Sequence, residues 1–493
     1  MKLISKYLNL KIAVLAIFMV SCSDNLDLKP TSVISNASFW KTEDNATGGL
    51  NGMYVNLRAQ ATKNLFLLGE ARSETVGSGV QGLDGRDAYY LNQLNATNAG
   101  PNWQGMYTIV HHANLILKYV PDIPFSSEAS KNNILAQAYA MRAYVYFCMV
   151  KTWGALPIVT EPTEDFSPEA IQKERAPVES VFALIKKDID AAKDLFSNNS
   201  FAAGRNMWSK PALNALKGEV YLWTAKRLAG GQADFAVALG ALNEVKAADV
   251  SLLDNYSSIF EYANKGNKEI LLAVNFKQNE VTDNDYANMY FPATYIPKDM
   301  DSETSAALGV AAGLNTWAPA EAFRSQFTSD DQRKNGTFRE IYSSVTGTRK
   351  FFGSFNVKFK GLINAGARLF LDDYVVYRYA DVLLMIAEAK NAMSQDPAVE
   401  INLVRKRAYQ TNFAMHEFVS GTKDANDEAI LKERMLELGL EGKRWWDLLR
   451  FGKAFEKVAS LKDRNTQDYL LLFPIPESTL SLESKVKQNP GYN

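Results

Sequence analysis

Residues 134–150 constrain this chain more than any other stretch, because in a helical projection they are apolar on almost every side. A helix without a polar face must be surrounded by other elements, so this one run calls for several helices packed around it. Arg142 interrupts it, and a guanidinium at such a position needs a carboxylate or carbonyl partner inside the protein. Cys148 in the same run reads as a small buried hydrophobe.

The rest of the sequence supplies the packing partners. Residues 103–119 carry Met106, Ile109, Val110, Leu115 and Leu117. Residues 212–228 place Leu213, Leu216, Val220 and Trp223 at three- and four-residue steps, and residues 379–392 repeat the pattern with Val382, Leu383, Ile386 and Ala387. Further helices are predicted at 178–195, 235–248, 399–409 and 427–438. The prediction is therefore an all-α, mainly helical framework. Paired helices of this length resemble helix–turn–helix repeats, although no clean residue-level period is present. Between about 269 and 371 the pattern loosens into aromatic, Gly- and Asn-punctuated pieces, with short strands expected near 270–276 and 350–359. Irregular insertions on a rigid scaffold are where binding residues concentrate.

With 493 residues, 47% hydrophobic, and no Pro/Gly/Ser-rich linker, one large lobed unit is expected over residues 36–493. A formal net charge of −1 leaves no basic field for phosphates, so nucleic acid is excluded as a natural partner. The three histidines, His111, His112 and His416, do not form a ligand cluster, and no metal or cofactor is expected. Gly77-Ser78-Gly79-Val80-Gln81-Gly82 fits the glycine spacing of a dinucleotide site. No convincing strand leads into it and no apolar helix follows, so it reads as a flexible loop leading to Asp84, Arg86, Asp87, Tyr89 and Tyr90.

Glu433, Glu437 and Glu441 share a helical face and could pass for catalytic carboxylates. If the helix continues, Glu437, Glu441, Arg444, Asp447 and Arg450 alternate in sign at three- and four-residue steps, the pattern of an ion-pair ladder. The block is read as structural, with Gly439 and Gly442 allowing a local break. Asp381 and Glu388 are structural candidates of the same kind. No catalytic residue is assigned.

The N-terminus carries Lys2, Lys6 and Lys11 ahead of an apolar stretch at 12–20, too short to span a bilayer. Met19-Val20-Ser21-Cys22 is similar to a lipoprotein processing site. Residues 1–21 are expected to be a signal peptide, Cys22 the lipidated first residue, and 22–35, with Pro30, a tether.

Several blocks recur in the order of a known family. They begin with Ser38-Phe39-Trp40-Lys41-Thr42-Glu43-Asp44, followed by Ala140-Met141-Arg142-Ala143-Tyr144 and Trp153-Gly154-Ala155-Leu156-Pro157. Asp331-Gln332-Arg333 and the run from Tyr377 to Ala389 come next. The longest extends from Glu433 through Gly442-Lys443-Arg444-Trp445-Trp446-Asp447 to Arg450, and Asn489-Pro490-Gly491-Tyr492 closes the series. Together they resemble the SusD/RagB family over nearly the whole chain.

That resemblance implies a SusD-like fold: four tetratricopeptide-like helix pairs plus an irregular, loop-rich ligand-binding part with a few short strands. It implies a lipoprotein on the outer face of the outer membrane, a SusC-type TonB-dependent transporter as partner, and a glycan or, in some branches, a peptide as ligand. It does not imply catalysis. Family ligand contacts come from an early loop region and from the stretch before the Asp-x-Arg motif, here about 72–102 and 286–317. The candidates are Arg72, Glu74, Asp84, Asp87, Tyr89, Tyr90, Asn102, Tyr295 and Trp317, which mix aromatic faces with polar groups as sugar recognition requires. Trp103, in contrast, is expected to pack in the scaffold. Two other readings remain open: a surface glycoside hydrolase with paired carboxylates, and a helical adaptor that binds no ligand.

Overall fold

The computed structural model describes residues 36–82, 85–164, 167–281, 283–344 and 348–492. The expected signal peptide, Cys22, the tether and Asp84 lie outside the described residues.

Four consecutive helix pairs form the scaffold. They are α1 (Glu43–Gln60) with α2 (Gln104–Tyr119), α3 (Glu128–Trp153) with α4 (Val178–Leu195), α5 (Lys210–Arg227) with α6 (Gly231–Lys246), and α7 (Tyr379–Ala392) with α8 (Ala398–Tyr409). The helices α9 (Lys423–Leu438) and α10 (Arg444–Phe451) close the C-terminal side. The all-round apolar run lies inside α3, which Ser127 caps by accepting the Ser130 N–H. From Ala136 to Trp153 every residue except Tyr139 is buried. Arg142 donates Nε and Nη2 to the two oxygens of Asp188 on α4 at 2.8 and 2.7 Å, and Nη1 to Asn114 on α2 at 2.7 Å. The predicted buried cation thus joins three helices. Trp103 is buried as expected and donates its indole N–H to Glu483 at 2.9 Å. One large apolar cluster extends from Ala46 to Val486, and a smaller one joins α7, α8 and α9 through Leu383, Leu384, Ile401, Val404 and Ile430.

Two expectations need correction. The 77–82 segment is not simply a flexible loop, because β1 (Val76–Ser78) enters it and pairs antiparallel with β3 (Trp317–Pro319). Nor does α9 continue into α10. The chain breaks after Leu438, and Leu440 and Gly442 adopt φ of +68° and +76°. The buried Glu70 carboxylate fixes this break by accepting the N–H groups of Leu440, Gly442 and Lys443 at 2.8, 3.0 and 3.0 Å.

The break dissolves most of the expected ladder. Asp447 and Arg450 do pair, at 3.0 Å, but Glu437, Glu441 and Arg444 face other elements. Arg378, at the end of β8 (Tyr374–Arg378), donates to Glu437 at 2.6 Å, to Glu441 at 2.8 and 2.9 Å, and to Glu269 at 2.8 Å. Arg407 on α8 bonds Glu437 and Glu269. Arg333 donates to Asp331 at 2.8 Å and Glu433 at 2.6 Å, and Lys358 reaches Glu441 at 2.9 Å. All of these groups are buried. Desolvation alone would favour the neutral carboxyls, but the surrounding cations outweigh it and hold Glu437 well below the usual range. Asp381 and Glu388 are likewise structural: Asp381 takes Arg434 and Lys443, each at 2.8 Å, and Glu388 takes Arg450 at 3.0 Å.

The remaining strands also form two-stranded pairs: β2 (Ile270–Val274) with β8, β4 (Phe338–Ser343) with β5 (Lys350–Asn356), and β6 (Leu362–Asn364) with β7 (Ala367–Leu369). The strands expected near 270–276 and 350–359 are thus β2 and β5.

Glu437→Gln keeps the side-chain shape but leaves Arg333, Arg378 and Arg407 short of one buried negative charge. It should cost about 3–5 kcal/mol, read as a lowered urea midpoint; a cost below about 1 kcal/mol would show that the network does not hold the fold. Acid should act on the same kind of contact. Burial raises the Glu388 and Glu219 carboxyls, yet Arg450 with Lys226, and Lys151 with Lys443, bring each down to about 2, below the ordinary 4.5. Their stabilisation is complete above the unfolded pKa of 4.5 and is lost as pH falls towards 2. The urea midpoint should therefore drop steeply in that window; an unchanged midpoint there would contradict the assignment.

Candidate functional site

The short β1–β3 pair brings the early loop region onto the irregular insertion, with Val76 opposite Pro319 and Ser78 opposite Trp317. β5 lies beside β3, and Asn315 joins the strands. Its side-chain oxygen accepts the Val80 N–H at 2.9 Å, and its amide donates to the Ser354 carbonyl at 3.0 Å. Gly79 is required at this crossing, since a Cβ there would overlap the Asn315 carbonyl. The Ser354 hydroxyl donates to the Pro319 carbonyl at 2.9 Å, which Arg324 Nη1 also reaches at 2.5 Å. The three strands therefore form a fixed floor.

One wall of the site comes from a β-bulge. In the β4–β5 pair Ile341 opposes Gly353 and Tyr342 opposes Phe351, which leaves Phe352 without a partner. Successive strand residues normally face opposite ways, and the extra residue breaks that alternation. Phe351 and Phe352 are 48% and 41% exposed, although phenylalanines elsewhere among the described residues are more covered. Phe352 leans on buried Phe291, and Phe351 stands between Tyr342 and the Arg324 guanidinium, 4.4 Å from its ring centre. The result is an open groove of about 360 Å³, walled by Ser78, Val80, Arg324, Phe351 and Phe352. Exposed Glu321 adds a carboxylate at its edge, while Arg324 Nε is held by Glu340 at 2.8 Å. Apolar faces and hydrogen-bonding groups are thus presented together.

The sequence candidates divide around this groove. Tyr90 is half-buried and near Ser78, which lines the groove, but is not itself part of the groove's lining. Tyr89 and Trp317 do meet, with ring centres 5.8 Å apart, but they are 8% and 3% exposed and support the floor from inside. Burial pushes the Tyr89 phenol up to about 12. Arg86, which bonds Thr316, lies over the Trp317 ring at 5.5 Å. Asp87 is half-buried at the start of the short Asp87–Tyr90 helix.

Arg72 and Glu74 belong to the scaffold instead. Arg72 is fully buried between Trp445 and Phe473, and it donates to Asn92 at 2.8 Å, to the Leu472 carbonyl at 2.8 Å and to the Leu470 carbonyl. Burial lowers its guanidinium to about 10. Glu74 accepts Arg444 Nη2 and Nε at 2.6 and 3.0 Å. Asn102 accepts the Gln104 N–H in a local turn, and Tyr295, 40% exposed, lies on a separate turn at Ala293–Tyr295. Neither lines the groove. Phe351, Phe352 and Arg324 were absent from the sequence candidates. Their signal was Phe351-Phe352-Gly353, two like aromatics followed by glycine, which breaks strand alternation.

A scaffold of helix pairs that carries an open aromatic groove on an irregular insertion defines a helical-repeat binding protein. Comparison with known proteins narrows that class. Residues 286–492 match the model described as the SusD family, and residues 24–222 match one described as starch-binding associating with outer membrane. A SusD-like protein of Formosa agariphila is 26% identical over 521 residues, covering 99% of this chain and 100% of that one. Among solved structures, NanU of B. fragilis is 34% identical with a TM-score of 0.85, covering 94% of this chain and 100% of that one. A SusD superfamily protein from Bacteroides vulgatus is 32% identical with a TM-score of 0.82, covering 92% and 100%. This chain belongs to the SusD/RagB family.

Gly79→Val should force β1 away from Asn315 and cost about 1–3 kcal/mol by overpacking. Unaltered urea unfolding would mean that the crossing yields freely and does not fix the groove.

Proposed function

We propose that this chain is a non-catalytic, lipid-anchored outer-membrane protein that captures oligomeric glycans in the Phe351–Phe352 groove. The captured glycan passes to a SusC-type TonB-dependent transporter. The observation that carries this reading is the bulge, which holds two phenyl rings in solvent beside Arg324, Ser78 and Glu321. Pyranose rings have apolar C–H faces that rest on aromatic rings, while their hydroxyls require carboxylate, hydroxyl or guanidinium partners. An open groove suits an oligomer that lies along it and leaves again. The matched description of starch binding associated with the outer membrane supports both the ligand class and the location.

Non-catalytic capture also fits the carboxylates at hand. Glu340 is held by Arg324 and accepts the Tyr342 hydroxyl at 3.0 Å, so it is a structural acceptor. The lipid anchor rests on Cys22, behind a short apolar stretch and followed by the polar residues 23–35.

The test is affinity electrophoresis of the soluble chain from Ser23 onward, in native gels that each contain one polysaccharide from a broad panel. At least one gel should retard the protein. Phe351→Ala with Phe352→Ala should weaken that retention at least tenfold, about 1.4 kcal/mol, while the melting temperature stays nearly constant. A folded double variant with full retention would sink the groove assignment, and no retardation in any gel would count against glycan capture. Release of reducing ends from a retained polysaccharide would overturn the non-catalytic reading. Separately, Cys22→Ala should free the full-length protein from membranes; material that stays bound after a salt wash would contradict the anchor.

A further inference from the structure

The β4–β5 ribbon borders a second recess, of about 270 Å³, lined by Glu303, Lys334, Asn335, Arg339, Tyr342 and Arg349 among others. Arg339 differs from the other arginines of the insertion. Elsewhere in the insertion, Arg324 is held by Glu340, Arg333 by Asp331 and Glu433, and Arg368 by the Val310 carbonyl at 2.8 Å. Arg339 is half-buried, yet neither it nor Lys334 makes a side-chain hydrogen bond or an ion pair with any described residue. Burial already lowers the Arg339 guanidinium, and only the nearby charge of Glu303 counteracts this. Arg349 lies 3.9 Å from the Tyr342 ring centre and 3.7 Å from Asp301, so it is loosely engaged. A partly desolvated guanidinium with unfilled donors is an anion receptor, because its planar fork matches carboxylate and sulfate oxygens.

Two side-chain contacts tie this recess to the aromatic groove. Glu340 and Tyr342 line the recess, and their partners Arg324 and Phe351 line the groove. Arg349, just before β5, precedes Phe351 by two residues, or roughly 7 Å of extended backbone. A ligand that spans both would rest an apolar sugar face on the phenyl pair and place a charged substituent among Arg339, Lys334 and Arg349.

We infer that this recess is an anion subsite and that the captured glycan is an acidic oligosaccharide, bearing uronate carboxylates or sulfate esters. The inference rests on the glycan reading above and deepens it to a substrate class. The side-chain amide of Asn335 adds a neutral donor, and Glu303 disfavours a second anion close by.

The test compares matched probes by calorimetry on the soluble chain at 150 mM NaCl: polygalacturonate against its methyl-esterified form, and dextran sulfate against dextran. At least one charged member should bind tenfold or more tightly than its uncharged twin, and the pair that shows this distinguishes carboxylate from sulfate. Lys334→Gln with Arg339→Gln should abolish that preference while leaving the melting temperature and any binding of the uncharged twin unchanged. Equal binding within each pair, or a preference that survives in the double variant, would overturn the subsite. The groove reading fails separately. Neutral binding that is lost in the Phe351→Ala, Phe352→Ala protein, with no preference for charge, would retain the groove and reject the subsite. A charge preference that is lost with Lys334 and Arg339 but is indifferent to the phenylalanines would do the reverse.

Discussion

The architecture depends on the buried guanidinium of Arg378, which meets Glu269, Glu437 and Glu441 at once. Those three carboxylates come from the entry to β2, from α9, and from the turn between α9 and α10. An apolar cluster of the same volume could be equally stabilising, because taking charges out of water offsets much of their attraction. What the ionic version adds is direction. Arg378 and Arg407 share both Glu437 and Glu269, and Arg333 also reaches Glu437, so no element can slide without stranding a buried charge.

That constraint extends to the groove. Arg333 lies five residues before β4, and Lys358 lies two residues after β5. Both are in the network, so the base of the β4–β5 ribbon is clamped at each end while its outer half projects to the surface. The bulge at Phe352 then turns two successive aromatic residues toward solvent on a ribbon whose root cannot move. The opposite side of the groove comes from β1, more than two hundred residues away in sequence, which pairs with β3 and is tied to Asn315 through Val80. Rigidity at the root and exposure at the rim are the two properties a capture surface needs, since ordering loops on binding would cost affinity.

The helices were the legible part of the fold. Residues 178–195 and 379–392 were predicted with their observed limits, because apolar spacing and helix-ending residues coincide there. α1 went unassigned because Gly48, Gly49, Gly52 and several polar residues dilute its periodicity; its capping box at Thr42 and Asn45 was the available signal. The ladder between Glu437 and Arg450 was legible as structural but not in its pairing, since alternating charge shows compensation without showing the partner. The groove proposed as the site takes Ser78 and Val80 from the early loop region, while Arg324 and the phenyl pair lie beyond 286–317. Tyr89 and Trp317 do meet, yet burial makes them support for the floor, a distinction that depends on neighbours remote in the chain. Arg72 falls in the early loop region by position, but its donors are used within the protein. The exposed phenyl pair depends on strand register, which a single sequence leaves open.

The most direct test of the account is a crystal structure of the soluble chain with an oligosaccharide cut from a polysaccharide that it retains. The account predicts a sugar ring within van der Waals distance of Phe351 or Phe352, with a hydroxyl bonded at Ser78, Arg324 or Glu321, and an unshifted Arg378 network beneath. An oligosaccharide lodged elsewhere, with the phenyl pair still facing water, would contradict it.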